Sequence, residues 1–76
     1  MAGIHNLHPQ RVIKAFEQAG WKNLGRYGKH FKLQKAGNLN VLSVPVHKGK
    51  PIKAGLLRSL LQKAGITEKE FLELYK

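Results

Sequence analysis

Phe31 and Leu33, and then Leu42, Val44 and Val46, alternate with polar or small residues. On either side of this stretch the apolar residues recur at three- and four-residue spacing instead: Val12, Ala15, Phe16 and Ala19 before it, and Leu56, Leu57, Leu60, Leu61 and Ala64 after it. A period of two is that of a half-buried strand, and a period near 3.6 is that of a helix with one buried stripe. The chain therefore has a β centre between α flanks, and its 76 residues allow a single domain.

The punctuation agrees with this order. Pro9 suits the first turn of a helix and Gly20 ends it, with Arg11, Lys14 and Gln18 on the wet side. Trp21–Tyr27 reads as a weak strand, bulged or at an edge, because Gly25 lies inside it, and Trp21 is expected to pack in the core. Gly28 supplies a turn into the strand His30–Gln34. The small residues Ala36–Asn38 turn again into Asn40–Val46, the most hydrophobic strand. After the loop His47–Pro51, the leucine stripe forms the main core helix, closed by Gly65. Thr67 followed by Glu70 is a capping box opening a last short helix with Phe71, Leu72, Leu74 and Tyr75. The expected fold class is α+β: a helix, an antiparallel meander of three strands, a helix and a short C-terminal helix. Residues 1–7 have no usable periodicity and read as a short leader to one domain over 8–76. Helices on one face of a three-stranded sheet leave its other face free.

The charge is concentrated. The chain carries 14 Lys+Arg against 4 Asp+Glu, a formal net charge of +10. From Lys22 to Lys53, the bases Lys22, Arg26, Lys29, Lys32, Lys35, Lys48, Lys50 and Lys53 are interrupted by no acid. Solubilising surfaces intersperse both signs. A one-sign stretch of this density suits nucleic acid first, and an anionic membrane or an acidic protein second.

What is missing narrows the chemistry further. There is no cysteine and no aspartate, and the acids are Glu17, Glu68, Glu70 and Glu73. Thiolate zinc sites, iron–sulfur clusters and cysteine nucleophiles are excluded, and no carboxylate cluster exists for a two-metal phosphodiesterase or a calcium loop. No two histidines have zinc-ligand spacing on one face, so neither a metal nor a small-molecule cofactor is expected. No apolar run approaches the length of a signal peptide or a membrane span, so the chain reads as soluble and cytoplasmic with no membrane partner.

The remaining candidate is histidine. His30 follows Gly28 and Lys29 at the start of a strand, on the wet face with Lys32, inside the acid-free stretch. RNA brings its own nucleophile in the 2′-hydroxyl. Scission then needs a group to take that proton and positive charge around the phosphorane, which one histidine among Lys29, Lys32 and Arg26 can supply. Lys22, Lys48 and Lys50 are further candidates for RNA contact. His47 is a second candidate that could hydrogen-bond a phosphate at the mouth of the Lys48-Gly49-Lys50 loop, and Tyr27 could stack a base. His5 and His8 have no assigned role. On residues alone, one histidine in a strand is a weak signal, and a non-catalytic RNA-binding module fits better than catalysis.

Four groups of residues point to a known family. They are Ala19-Gly20-Trp21 after the first helix, Gly28-Lys29-His30 at the turn, Val44-Pro45-Val46-His47 ending the third strand, and the run from Lys53 to Ile66. Over Pro9 to about Leu74 the chain resembles the HicA (YcfA-like) toxins of HicAB toxin–antitoxin systems. The resemblance implies a double-stranded-RNA-binding-like fold and a ribosome-independent endoribonuclease, an mRNA interferase. It also implies neutralisation by a HicB-type antitoxin that covers the active face. The family's catalytic histidine maps onto His30, and Lys29 stands where the family usually has serine.

Overall fold

A computed structural model describes residues 3–76; Met1 and Ala2 lie outside the described residues. The elements are α1 (Pro9–Gln18), β1 (Lys22–Tyr27), β2 (His30–Gln34), β3 (Val41–Pro45), α2 (Ala54–Ala64) and α3 (Glu68–Tyr75). The class is α+β, in the expected order. Pro9 opens α1, where a missing N–H costs nothing, and Val12, Ile13, Ala15 and Phe16 form its buried side.

The strands form one antiparallel sheet in the order β1-β2-β3. Gly28 and Lys29 connect Tyr27 to His30, which pair across the ladder, so the β1–β2 hairpin has a two-residue turn. Gly28 has φ 65° at the first central position, where a type II′ turn demands a positive angle. The register slips between Asn23 and Gly25, leaving Leu24 as the extra residue of a bulge. Gly25 has φ 103°, and its N–H donates to Asn23 Oδ1 at 2.8 Å. The bulged edge strand expected from a glycine inside a strand is therefore present.

On the inner face of the sheet Leu33, Leu42 and Val44 are completely buried, in one core cluster with Phe16, Leu57, Leu60 and Leu61. Each such side chain withdrawn from water contributes about 1.5–3 kcal/mol. Trp21 joins this core at 2% exposure, as expected, although its indole N–H has no hydrogen-bond acceptor among the described residues. Helix α3 closes the assembly. Its capping box is formed, with Thr67 Oγ1 accepting from the Glu70 N–H at 3.1 Å and Glu70 Oε1 accepting from the Thr67 N–H at 3.0 Å. Phe71 sets its ring 5.0 Å from that of Phe16, and Tyr75 lies under the Arg11 guanidinium at 4.3 Å.

Two expectations change. The leucine stripe does not bury all its members: Leu57, Leu60 and Leu61 are in the core, whereas Leu56 is 37% exposed. Adjacent helical residues lie about 100° apart, and the sheet covers only the side that carries Leu57. The supposed leader is also packed where it is described. Ile4 is 1% exposed and Leu7 is buried, and Leu7 forms an antiparallel bridge with Ile52 whose N–H donates to the Leu7 carbonyl at 2.9 Å. A single bridge to a residue far along the chain leaves no periodic trace in residues 3–7.

Candidate nucleic-acid interface

Residues directly opposite each other in a sheet share a face, so the register sorts the side chains. On the face away from the helices, Tyr27, His30 and Pro45 form one row across the three strands. Gly25, Lys32 and Ser43 form the next, and Lys22, Gln34 and Val41 the third. Lys32 Nζ lies 3.2 Å from Ser43 Oγ, which holds the ammonium group over the middle of the sheet. Tyr27 is 59% exposed, and space for a Cβ above Gly25 is open. The result is an uncovered platform with an aromatic ring, an imidazole and two ammonium groups, and no acid among its members.

The structure divides the basic residues grouped around His30 in the sequence. Lys32 and Lys22 share its face, and Lys29 occupies the turn beside it, its carbonyl accepting the Val46 N–H at 2.9 Å. Arg26 does not share that face. It pairs with Phe31 on the helix side, because a two-residue turn that places Tyr27 with His30 must place its neighbour on the opposite face. Arg26 Nε donates to the Gly28 carbonyl at 2.8 Å, and the side chain lines a hollow of about 440 Å³ together with His8, Gln10, His47, Lys48 and Lys50. His47 also borders an adjoining hollow of about 300 Å³ with Pro9, Pro51 and Leu56. A third, of about 480 Å³, lies between Lys22, Lys35 and Asn38. His30 lines none of these three and stands on open surface.

His8 is the residue that the sequence did not single out. The Leu7–Ile52 bridge brings it beside the loop before α2, and its backbone N–H donates to the Tyr75 hydroxyl at 2.8 Å. No local signal in the sequence announces that neighbour. Among the described residues, no three His, Cys, Asp or Glu side chains converge as a metal site would require. Among them, too, no helix is long and apolar enough to cross a membrane.

Fold and surface together define a small basic α+β domain with one uncovered, aromatic and cationic sheet face. The family model described as the HicA toxin of bacterial toxin-antitoxin matches residues 9–66, most of the 76-residue chain. The chain belongs to that family of toxins, which act in pairs with an antitoxin. No curated protein matches it.

Proposed function

We propose that this toxin is an endoribonuclease acting on mRNA, and that His30 on the open sheet face takes the proton of the 2′-hydroxyl, with no metal or cofactor. The observation that carries the reading is the row Tyr27–His30–Pro45 beside the row containing Lys32. The deprotonated 2′-oxygen attacks the adjacent phosphorus, a 2′,3′-cyclic phosphate forms, and the 5′-oxygen leaves with a proton from solvent. Lys32 and Lys29 flank His30 and supply positive charge where the phosphorane accumulates its negative charge. Tyr27 offers a ring for a base next to the scissile linkage. DNA has no 2′-hydroxyl and is not cut by this route. The antitoxin, of HicB type, is the partner that covers this face, and the pair works in the cytoplasm.

The test is His30→Ala. It should abolish RNA cleavage and growth arrest while fold and most RNA affinity survive, and cleavage by the unaltered protein should persist in EDTA. An active His30→Ala protein, or cleavage lost in EDTA, rejects the mechanism. The openness of the surface around His30 also suits a non-catalytic RNA-binding module. In that case no product forms at any protein concentration, and affinity falls with salt at a slope of about −0.7 per phosphate neutralised.

A further inference from the structure

The hollow on the helix side of the β1–β2 hairpin is electrostatically one-sided. Arg26, Lys48 and Lys50 line it together with His8 and His47. The only ion pairs among the described residues are Arg58–Glu68 and Lys76–Glu73, so no carboxylate answers these cations. The floor, the start of α1, brings no acid either: its first turn has none, and no side chain caps it. Like charges gathered without a counter-ion oppose folding, and such local conflicts persist where a ligand resolves them. The guanidinium is held in place by its Nε bond to the Gly28 carbonyl, and its planar fork is the geometry that pairs with phosphate oxygens.

We infer that this hollow is a second RNA contact, which takes a phosphodiester of the same strand that is cut at His30. The inference rests on the reading of the chain as an RNA-cutting toxin and adds a site to it. Arg26 and Tyr27 are consecutive on β1 and face opposite sides of the sheet. A strand lying along Tyr27 and His30 therefore reaches the hollow by passing over the hairpin tip, where Lys29 adds a charge. The hairpin acts as a post around which the RNA bends. Its consequence is a length requirement, because an oligonucleotide too short to span the tip engages only the sheet face.

The experiment uses the full chain carrying His30→Ala, labelled for NMR, titrated first with inorganic pyrophosphate and then with RNA of two and of eight nucleotides. Pyrophosphate should give saturating shifts at the amides of Gln10, Gly49 and Lys50, and the further pair Lys48→Gln and Lys50→Gln should abolish them. The same pair should weaken the octanucleotide at least tenfold and the dinucleotide less than threefold. Shifts spread over all lysines without saturation, or equal losses for both lengths, overturn the inference. Retained octanucleotide affinity with lost antitoxin binding also overturns it, because the occupant would then be a protein carboxylate. The two readings fail separately. A saturating hollow in a His30→Ala protein that still cleaves RNA rejects the mechanism alone, and diffuse shifts in an inactive one reject the hollow alone.

Discussion

Tyr27 and His30 face each other directly across the two-residue turn at Gly28 and Lys29, so the exposed ring and the imidazole project side by side from the same face of the sheet. On the proposed mechanism, their adjacency makes Tyr27 the neighbour of a base beside the scissile linkage. Stacking on an aromatic ring contributes about 1–3 kcal/mol per base. Tyr27→Ala in a His30→Ala background should therefore weaken single-stranded RNA binding by about tenfold, since about 1.4 kcal/mol is one decade. Tyr27→Phe should retain the affinity. Fluorescence anisotropy measures both, and an alanine variant that binds as tightly as its parent removes the ring from the interface.

The uneven burial of the leucine stripe gives a paired prediction. Leu57 is fully buried, and its truncation to alanine should cost about 2–5 kcal/mol through lost transfer energy and a residual cavity. Leu56→Ala, on the exposed side of the same helix, should stay within about 0.5 kcal/mol. Urea unfolding followed through the buried Trp21 reads the difference, and equal costs would place the stripe differently on the sheet.

The packed segment before α1 is tested at Ile4. At 1% exposure it belongs to the core, so Ile4→Ala should cost about 2–5 kcal/mol and Ile4→Val about 0.5–1.5 kcal/mol. A small domain has a total stability on the order of 5–15 kcal/mol, and the alanine variant should melt markedly earlier. A melting temperature unmoved by Ile4→Ala would mean that the segment behaves as the leader its sequence resembles.

Acid should act on the start of α3. The backbone N–H and the hydroxyl of Thr67 both donate to the Glu70 carboxylate, and these bonds hold its pKa below the ordinary 4.5. A lowered pKa in the folded state means that the contribution is complete above the unfolded value and is lost as pH falls through the folded one. Glu70→Gln should therefore flatten the stability profile between about pH 4.5 and the acid end, as measured by urea midpoints across that range. Thr67→Ala, which removes the cap itself, should cost about 1 kcal/mol at neutral pH. An unchanged acid limb in the glutamine variant would show that the carboxylate contacts contribute nothing.

Local periodicity made the strands and helices legible, and the glycine inside Trp21–Tyr27 announced the bulge. The side-by-side placement of His30 and Lys32 followed from simple alternation within β2. Arg26 was harder, because its face depends on the pairing of Tyr27 with His30, and only the length of the turn fixes that parity. His8 meets the loop before α2 through the single Leu7–Ile52 bridge, a contact between distant parts of the chain that no window of neighbouring residues encodes. Leu56 and Leu57 are indistinguishable by composition, and the position of the sheet alone decides which is wet.

Glu68, Glu70 and Glu73 all lie on α3, which packs on α1 and α2 and touches the sheet little, while Lys22 and Lys32 rise from the sheet face that the helices leave bare. Unanswered positive charge thus lies on the bare sheet face, whereas on α3 Glu68 and Glu73 are each paired with a cation. In the field of a polyanion such a body experiences a torque as well as an attraction. It turns its sheet toward the strand before contact, so a larger share of diffusional encounters begins in a productive orientation.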